Sequence, residues 1–188
     1  ALISATNAVS TLGVRDNYNL ISGSSNGNLM FWNLTSGAAL TQTMTGVHAA
    51  SVQRVALITT SVLVSASMDA TAKVINLATY TSTLTFSGHT GSVYSVIRLH
   101  DGRVATGGAG DNSIKIWHWN NGTVTTTLSI GYLAQSLAQV TTSILAVGGS
   151  DFTVKLWSFA NSSLLATLTG HSGEVGFVKL YAFDTLIS

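Results

Sequence analysis

Gly88–Trp117 reads G-H-T-G-S-V-Y-S-V-I-R-L-H-D-G-R-V-A-T-G-G-A-G-D-N-S-I-K-I-W, and the rest of the chain repeats it with wear. Continued to Ser129, the stretch holds four short apolar-alternating runs: 93–99, 103–107, 113–117 and 123–129. Turn residues separate them, His100-Asp101-Gly102, Gly108–Asn112 and Asn120-Asn121-Gly122. Asp-Gly and Asn-Gly supply the positive φ that tight hairpins need. The unit is therefore expected to be a four-stranded antiparallel meander, apolar on both faces.

Three markers keep step along the chain. A polar anchor stands at Asn26, Asp69, Asp111 and Asp151, at intervals of 43, 42 and 40 residues. Six residues after each come Trp32, Ile75, Trp117 and Trp157. A glycine with a ring close behind it recurs at Gly46-Val47-His48, Gly88-His89, Gly131-Tyr132 and Gly170-His171. A period of about 40 residues with strand-turn chemistry throughout is the length of one four-stranded repeat unit.

Composition agrees with an all-β chain. Thr and Ser are the two commonest residues and Val, Gly and Asn are abundant, types that favour strands and turns over helices. Of the 188 residues 46% are hydrophobic and only 8% charged, about a third of the usual charged share. A net charge of +1 offers no electrostatic footprint for nucleic acid. Without Cys, disulfide and thiolate chemistry are excluded. Mean hydropathy is +0.39, yet the most apolar run, Val55–Val64, is half the length of a spanning helix.

The Gly-His pairs, the Asp six before a Trp and the period together make the chain resemble the WD-repeat β-propeller family across essentially its whole length. The resemblance implies an all-β propeller of four-stranded antiparallel blades. The expected blades are 8–45, 49–87, 90–130 and 133–169, with 1–6 the last strand of a preceding blade and 172–188 the start of a further one. About four and a half blades imply part of a larger ring or array. The family's Trp-Asp pair is absent, the pairs reading Trp32-Asn33, Ile75-Asn76, Trp117-His118 and Trp157-Ser158.

The resemblance also implies a structural His–Ser/Thr–Asp–Trp hydrogen-bond set in each blade. His48, Ser65 and Asp69 match it in the second copy, with Ile75 in place of Trp. The third supplies His89, Asp111 and Trp117, with Gly107 expected where the hydroxyl belongs. The fourth keeps Asp151 and Trp157 but has Tyr132 and Val147. One His per blade is the spacing of a structural element, since a metal site needs three or four converging ligands. His48, Ser65 and Asp69 have the residue types of a catalytic triad but no nucleophile elbow. The glycines at 107–110 precede no helix, and no Lys-Ser/Thr closes a phosphate loop. No catalytic, cofactor or metal residue is assigned.

Recognition of a protein partner is what remains. The family's docking face falls here on Met68, Gly110 and Ser150, each before an anchoring Asp. It continues on Ser51, Gln53, Ser92, Tyr94 and Glu174, just after the ring positions. The chain reads as a non-enzymatic interaction scaffold. The alternative is a structural subunit of an assembly or filament, extracellular if the sequons at Asn33, Asn121 and Asn161 are glycosylated. An enzymatic propeller ranks third, because its extra acids and Arg clusters are missing. Family resemblance points to the cytoplasm and the sequons to secretion, so compartment stays open.

Overall fold

The structure, a computed structural model, describes residues 8–35, 39–182 and 185–187. The strand expected over residues 1–6 lies outside the described residues. All regular structure among them is strand, and it builds four four-stranded antiparallel sheets in chain order. The first contains β1 (Val9–Asp16), β2 (Asn19–Ser24), β3 (Leu29–Asn33) and β4 (Ala39–Met44). The second contains β5 (Val52–Thr59), β6 (Val62–Ser67), β7 (Ala72–Asn76) and β8 (Thr81–Phe86). The third contains β9 (Val93–Arg98), β10 (Val104–Gly108), β11 (Ser113–Trp117) and β12 (Val124–Ser129). The fourth contains β13 (Ala134–Gln139), β14 (Ile144–Gly149), β15 (Val154–Ser158) and β16 (Ser163–Leu168). A two-stranded hairpin, β17 (Lys179–Ala182) and β18 (Thr185–Ile187), follows. The sheets have the form of propeller blades, and no closed ring is formed among the described residues.

The second hairpin of each sheet turns on the anchoring polar residue. In three sheets the turn has three residues, closed by Ser24 N–H to Asn28 O, Ser67 N–H to Thr71 O and Gly149 N–H to Thr153 O, each 3.1 Å. Its last residue takes a positive φ: Gly27 at 83°, Ala70 at 69° and Phe152 at 66°. The third sheet departs from this plan. Gly108 pairs with Ser113, so its turn is the four residues 109–112, one longer.

The core lies between sheets rather than within them. Ile21, Leu29 and Phe31 of the first pack with Val52, Leu63 and Ile75 of the second. Val64, Val74 and Phe86 of the second pack with Val93, Val96 and Trp117 of the third. Ile114, Ile116 and Leu128 of the third pack with Leu137, Leu145 and Val147 of the fourth. Ala146 and Val154 are covered by Val175 and Val178, which stand where Val52 and Val55 stand relative to the first sheet. The innermost strands β1, β5, β9 and β13 touch in sequence, and β4, β8, β12 and β16 form the exposed rim.

Register makes equivalent positions comparable, and the two ends of the stack then stand out. Leu12, Val55, Val96 and Leu137 each lie opposite the second-strand position of Ser22, Ser65, Thr106 and Val147. Val96 and Leu137 are buried against the preceding sheet, whereas Leu12 is 61% exposed. At the other end, Phe86 and Leu128 are buried by the next sheet, whereas the equivalent Leu168 is 46% exposed.

Candidate functional site

The third sheet holds a continuous hydrogen-bond relay. Trp117 Nε1–H donates to Thr106 Oγ1 at 3.2 Å. Thr106 Oγ1 lies 2.9 Å from His89 Nε2, and His89 Nδ1 lies 3.0 Å from Asp111. Burial holds the His89 imidazole below its usual pKa despite Asp111 beside it, so it is neutral at pH 7. The network then assigns the proton to Nδ1, which donates to Asp111, while Nε2 accepts from the Thr106 hydroxyl. Every buried polar atom of the four residues finds a partner along one direction of donation.

Gly107 is not the hydroxyl position. Thr106 pairs with Lys115 as Ser65 pairs with Lys73, so Thr106 is the equivalent of Ser65. Counting back from Asp111 misses it by one because the turn is one residue longer. Gly107 serves a different need: a Cβ there would stand 2.5 Å from Ser95 Oγ and 2.6 Å from Ala134 Cβ. The set in the third sheet is therefore complete.

In the second sheet His48 Nε2 lies 2.8 Å from Ser65 Oγ, and Nδ1 lies 2.9 Å from Asp69. Asp69 also accepts from Ala49 N–H and the Thr71 hydroxyl. Ile75, fully buried, fills the Trp site without asking for an acceptor. The fourth sheet replaces the relay with one long side chain. Trp157 Nε1–H donates directly to Tyr132 Oη at 3.1 Å, which takes over from both His and hydroxyl beside the apolar Val147. Burial pushes the Tyr132 phenol up to about 12. Gly149 makes room, since a Cβ there would lie 2.6 Å from the tyrosine ring. In the first sheet Trp32 Nε1–H donates to Ser22 Oγ at 2.8 Å, and Asn26 stands for Asp.

Two of the lysines on the third strands, in β11 and β15, are paired with the anchoring acids. Lys115 Nζ lies 3.4 Å from Asp111, and Lys155 pairs with Asp151 while sitting 4.0 Å over the Tyr132 ring. Among the described residues no three His, Asp or Glu side chains converge as metal ligands would.

The positions assigned to the partner face lie where each first strand meets the anchoring turn. Met68 is exposed and its N–H donates to Ser51 O at 3.0 Å, while Ser92 Oγ donates to Met68 O across the sheet boundary. Gln53 Nε2 donates to Ser51 Oγ, and Tyr94 is half-buried. Gly110 is exposed in the long turn, with Ala109 N–H bonded to Ser92 O. Ser150 Oγ accepts from Leu133 N–H, and Glu174 accepts from Gln135 Nε2 at 2.7 Å. Sequence reasoning missed Phe152. It is 47% exposed at the tip of the β14–β15 turn and takes a φ of 66°. The signal was an aromatic directly after Asp151, where the other copies carry Gly27, Ala70 and Asn112.

Asn121 and Asn161 are exposed and Asn33 half-buried, all at the turns into the rim strands. Each side-chain oxygen accepts from the sequon residue two positions on. Among the described residues no helix is long and apolar enough to cross a membrane. Residues 80–118 match a family model, WD40, described as WD domain, G-beta repeat. A search of curated proteins returns no match for the chain. The matched span begins beside β8 of the second sheet and runs through β9–β11 of the third.

Proposed function

Starting from a chain that carries a WD repeat, among sheets built to the same plan, we propose that it is a non-catalytic scaffold whose turn face binds a protein partner. WD40 domains in general mediate protein interactions. The observation that carries the reading is the apolar exposure of Met68 and Phe152 at two anchoring turns. An aromatic held at positive φ costs backbone strain, and with half its surface in water it regains only part of what burial would return. Exposed Met and Phe on a polar face are the residue types that anchor interfaces. The triad-like set supports the same conclusion: Ser65 has no exposed surface, so no substrate reaches its Oγ. Quantitative cross-linking in native extract tests the reading. A partner recovered with the parent chain should be lost with a Met68→Ala/Phe152→Ala double variant of unchanged circular dichroism. Equal recovery with both would remove this face from consideration.

The second reading, a secreted subunit of a larger assembly, is favoured by the exposed Asn121 and Asn161. Intact mass of native material tests it: hexose on Asn33, Asn121 or Asn161 supports the secreted subunit, and bare asparagines in a monodisperse complex count against it.

A further inference from the structure

One position per repeat faces a cavity shared by the sheets. Thr11, Arg54, Ser95 and Ser136 are equivalent, pairing with Gly23, Ala66, Gly107 and Gly148 of their second strands. Phe177 continues the series, two residues after Val175 as Arg54 is two after Val52. All five line one cavity of about 330 Å³, bounded also by Val96, Leu137 and Lys179. The plan of the repeat puts a small hydroxyl here in three sheets. Arg54 is the exception.

Its guanidinium stands half-buried in that space. Two of its N–H donors reach backbone carbonyls, Gln53 O and Gly176 O, each at 3.1 Å. None of the ion pairs among the described residues involves Arg54, and no acid lines the cavity. A desolvated charge without a counter-charge is costly. The rest of the lining is suited to supply what an anion needs. Ser136 Oγ accepts from Val178 N–H, which leaves its own O–H to donate. Lys179 adds a second cation, and Phe177, 55% exposed, adds an aromatic wall.

We propose that this cavity binds a small anion bearing an apolar group, an aryl or alkyl phosphate or carboxylate, held by Arg54 with Phe177 against its apolar part. A guanidinium offers a planar fork that matches either anion. The volume lies at the lower end of small-ligand sites. This site is independent of the turn face, so the two readings stand or fall separately.

Phenyl phosphate and benzoate serve as probes, with sodium chloride at matched ionic strength as control. Isothermal titration of the 188-residue chain should show saturable binding of at least one probe and none of chloride. Arg54→Thr, which installs the residue of the first sheet, should weaken binding about tenfold or more, the share of a charged hydrogen bond. Arg54→Lys should retain part of the affinity, and Phe177→Ala should lower phenyl phosphate binding more than inorganic phosphate binding. Thermal melts establish that each variant folds. The proposal fails if neither probe binds below about 10 mM, or if Arg54→Thr binds as tightly as the parent. Equal heats from chloride would likewise overturn it.

Discussion

His48 and His89 are buried, neutral and bonded on both ring nitrogens, which makes them responsive to acid. Burial depresses both from 6.5, so below that pH the unfolded chain takes up protons that the folded one refuses. Stability then falls as pH falls, fully present above about 6.5 and lost progressively below it. Asp69 and Asp111 act in the same direction at lower pH. Burial pushes each the other way, yet hydrogen bonds from Thr71 and His48 to Asp69, and from His89 to Asp111, hold them below 3.8. Melting temperature should decline from pH 7 to 5, and a His48→Gln/His89→Gln double variant should flatten that decline; a Tm rising on acidification would contradict the neutral-imidazole assignment. The hydroxyl in the relay has a separate test. Thr106→Val leaves Trp117 Nε1–H and His89 Nε2 unpaired, an expected cost of about 1–3 kcal/mol in urea unfolding. Val147→Thr, at the equivalent place in the fourth sheet, should not repay that amount, because Tyr132 already satisfies Trp157. Acid and Trp positions were legible in the sequence because six residues always carry one to the other, and ring positions because a glycine stands just before each. Thr106 was not, because a one-residue change in turn length is invisible without register, and neither was a tyrosine doing the work of two residues.

A strand in this molecule is stabilised chiefly by the sheet next door. Trp117 lies in β11 and stacks on Phe86 of β8 in the preceding sheet, ring centroids 4.3 Å apart and planes within 3°. The span that matches the WD40 model crosses that boundary, since residues 80–118 take in β8 and then β9–β11. The sequence unit thus straddles two sheets and ties them covalently as well as by packing. Trp117→Ala should cost about 3–5 kcal/mol as a fully buried aromatic truncation. Trp32→Ala, at the same position but half-buried with no described sheet behind it, should cost clearly less. Chemical denaturation of the two variants side by side measures the difference, and equal losses would mean that the neighbour contributes nothing. Tight approach also makes glycine necessary at Gly108, as at Gly107 and Gly149. A Cβ on Gly108 would fall 2.3 Å from His89 Nδ1, so Gly108→Ala should displace the ring and lower the Tm by several degrees. The four strands of the third copy were readable from alternation and Gly-bearing turns, to within a residue or so at the ends. The direction in which each face packs was not, because the three inner strands of the sheet hold buried residues on both sides.

Repetition makes the whole molecule a stack in which each layer owes its burial to the next, as in other quasi-one-dimensional proteins. Among the described residues its interior layers are packed on both faces, and its two end sheets are not. Val14 and Leu12 of the first sheet are 68% and 61% exposed, at positions where Leu57 and Val55 of the second pack against a neighbour. On the fourth sheet the inner half is covered by Val175 and Val178, while Leu168 on the rim stays open. The same substitution at equivalent positions should therefore have unequal consequences. Leu128→Asp places an unpaired carboxylate in the contact between third and fourth sheets, where the side chain is 1% exposed, and should unfold the domain or cost more than about 4 kcal/mol. Leu168→Asp keeps its charge in water and should change stability by only about 0.5 kcal/mol. Guanidinium unfolding of both variants, with tryptophan fluorescence as readout, compares them directly. If Leu168→Asp proves as damaging as Leu128→Asp, Leu168 is covered in solution, and the stack does not end at its fourth sheet.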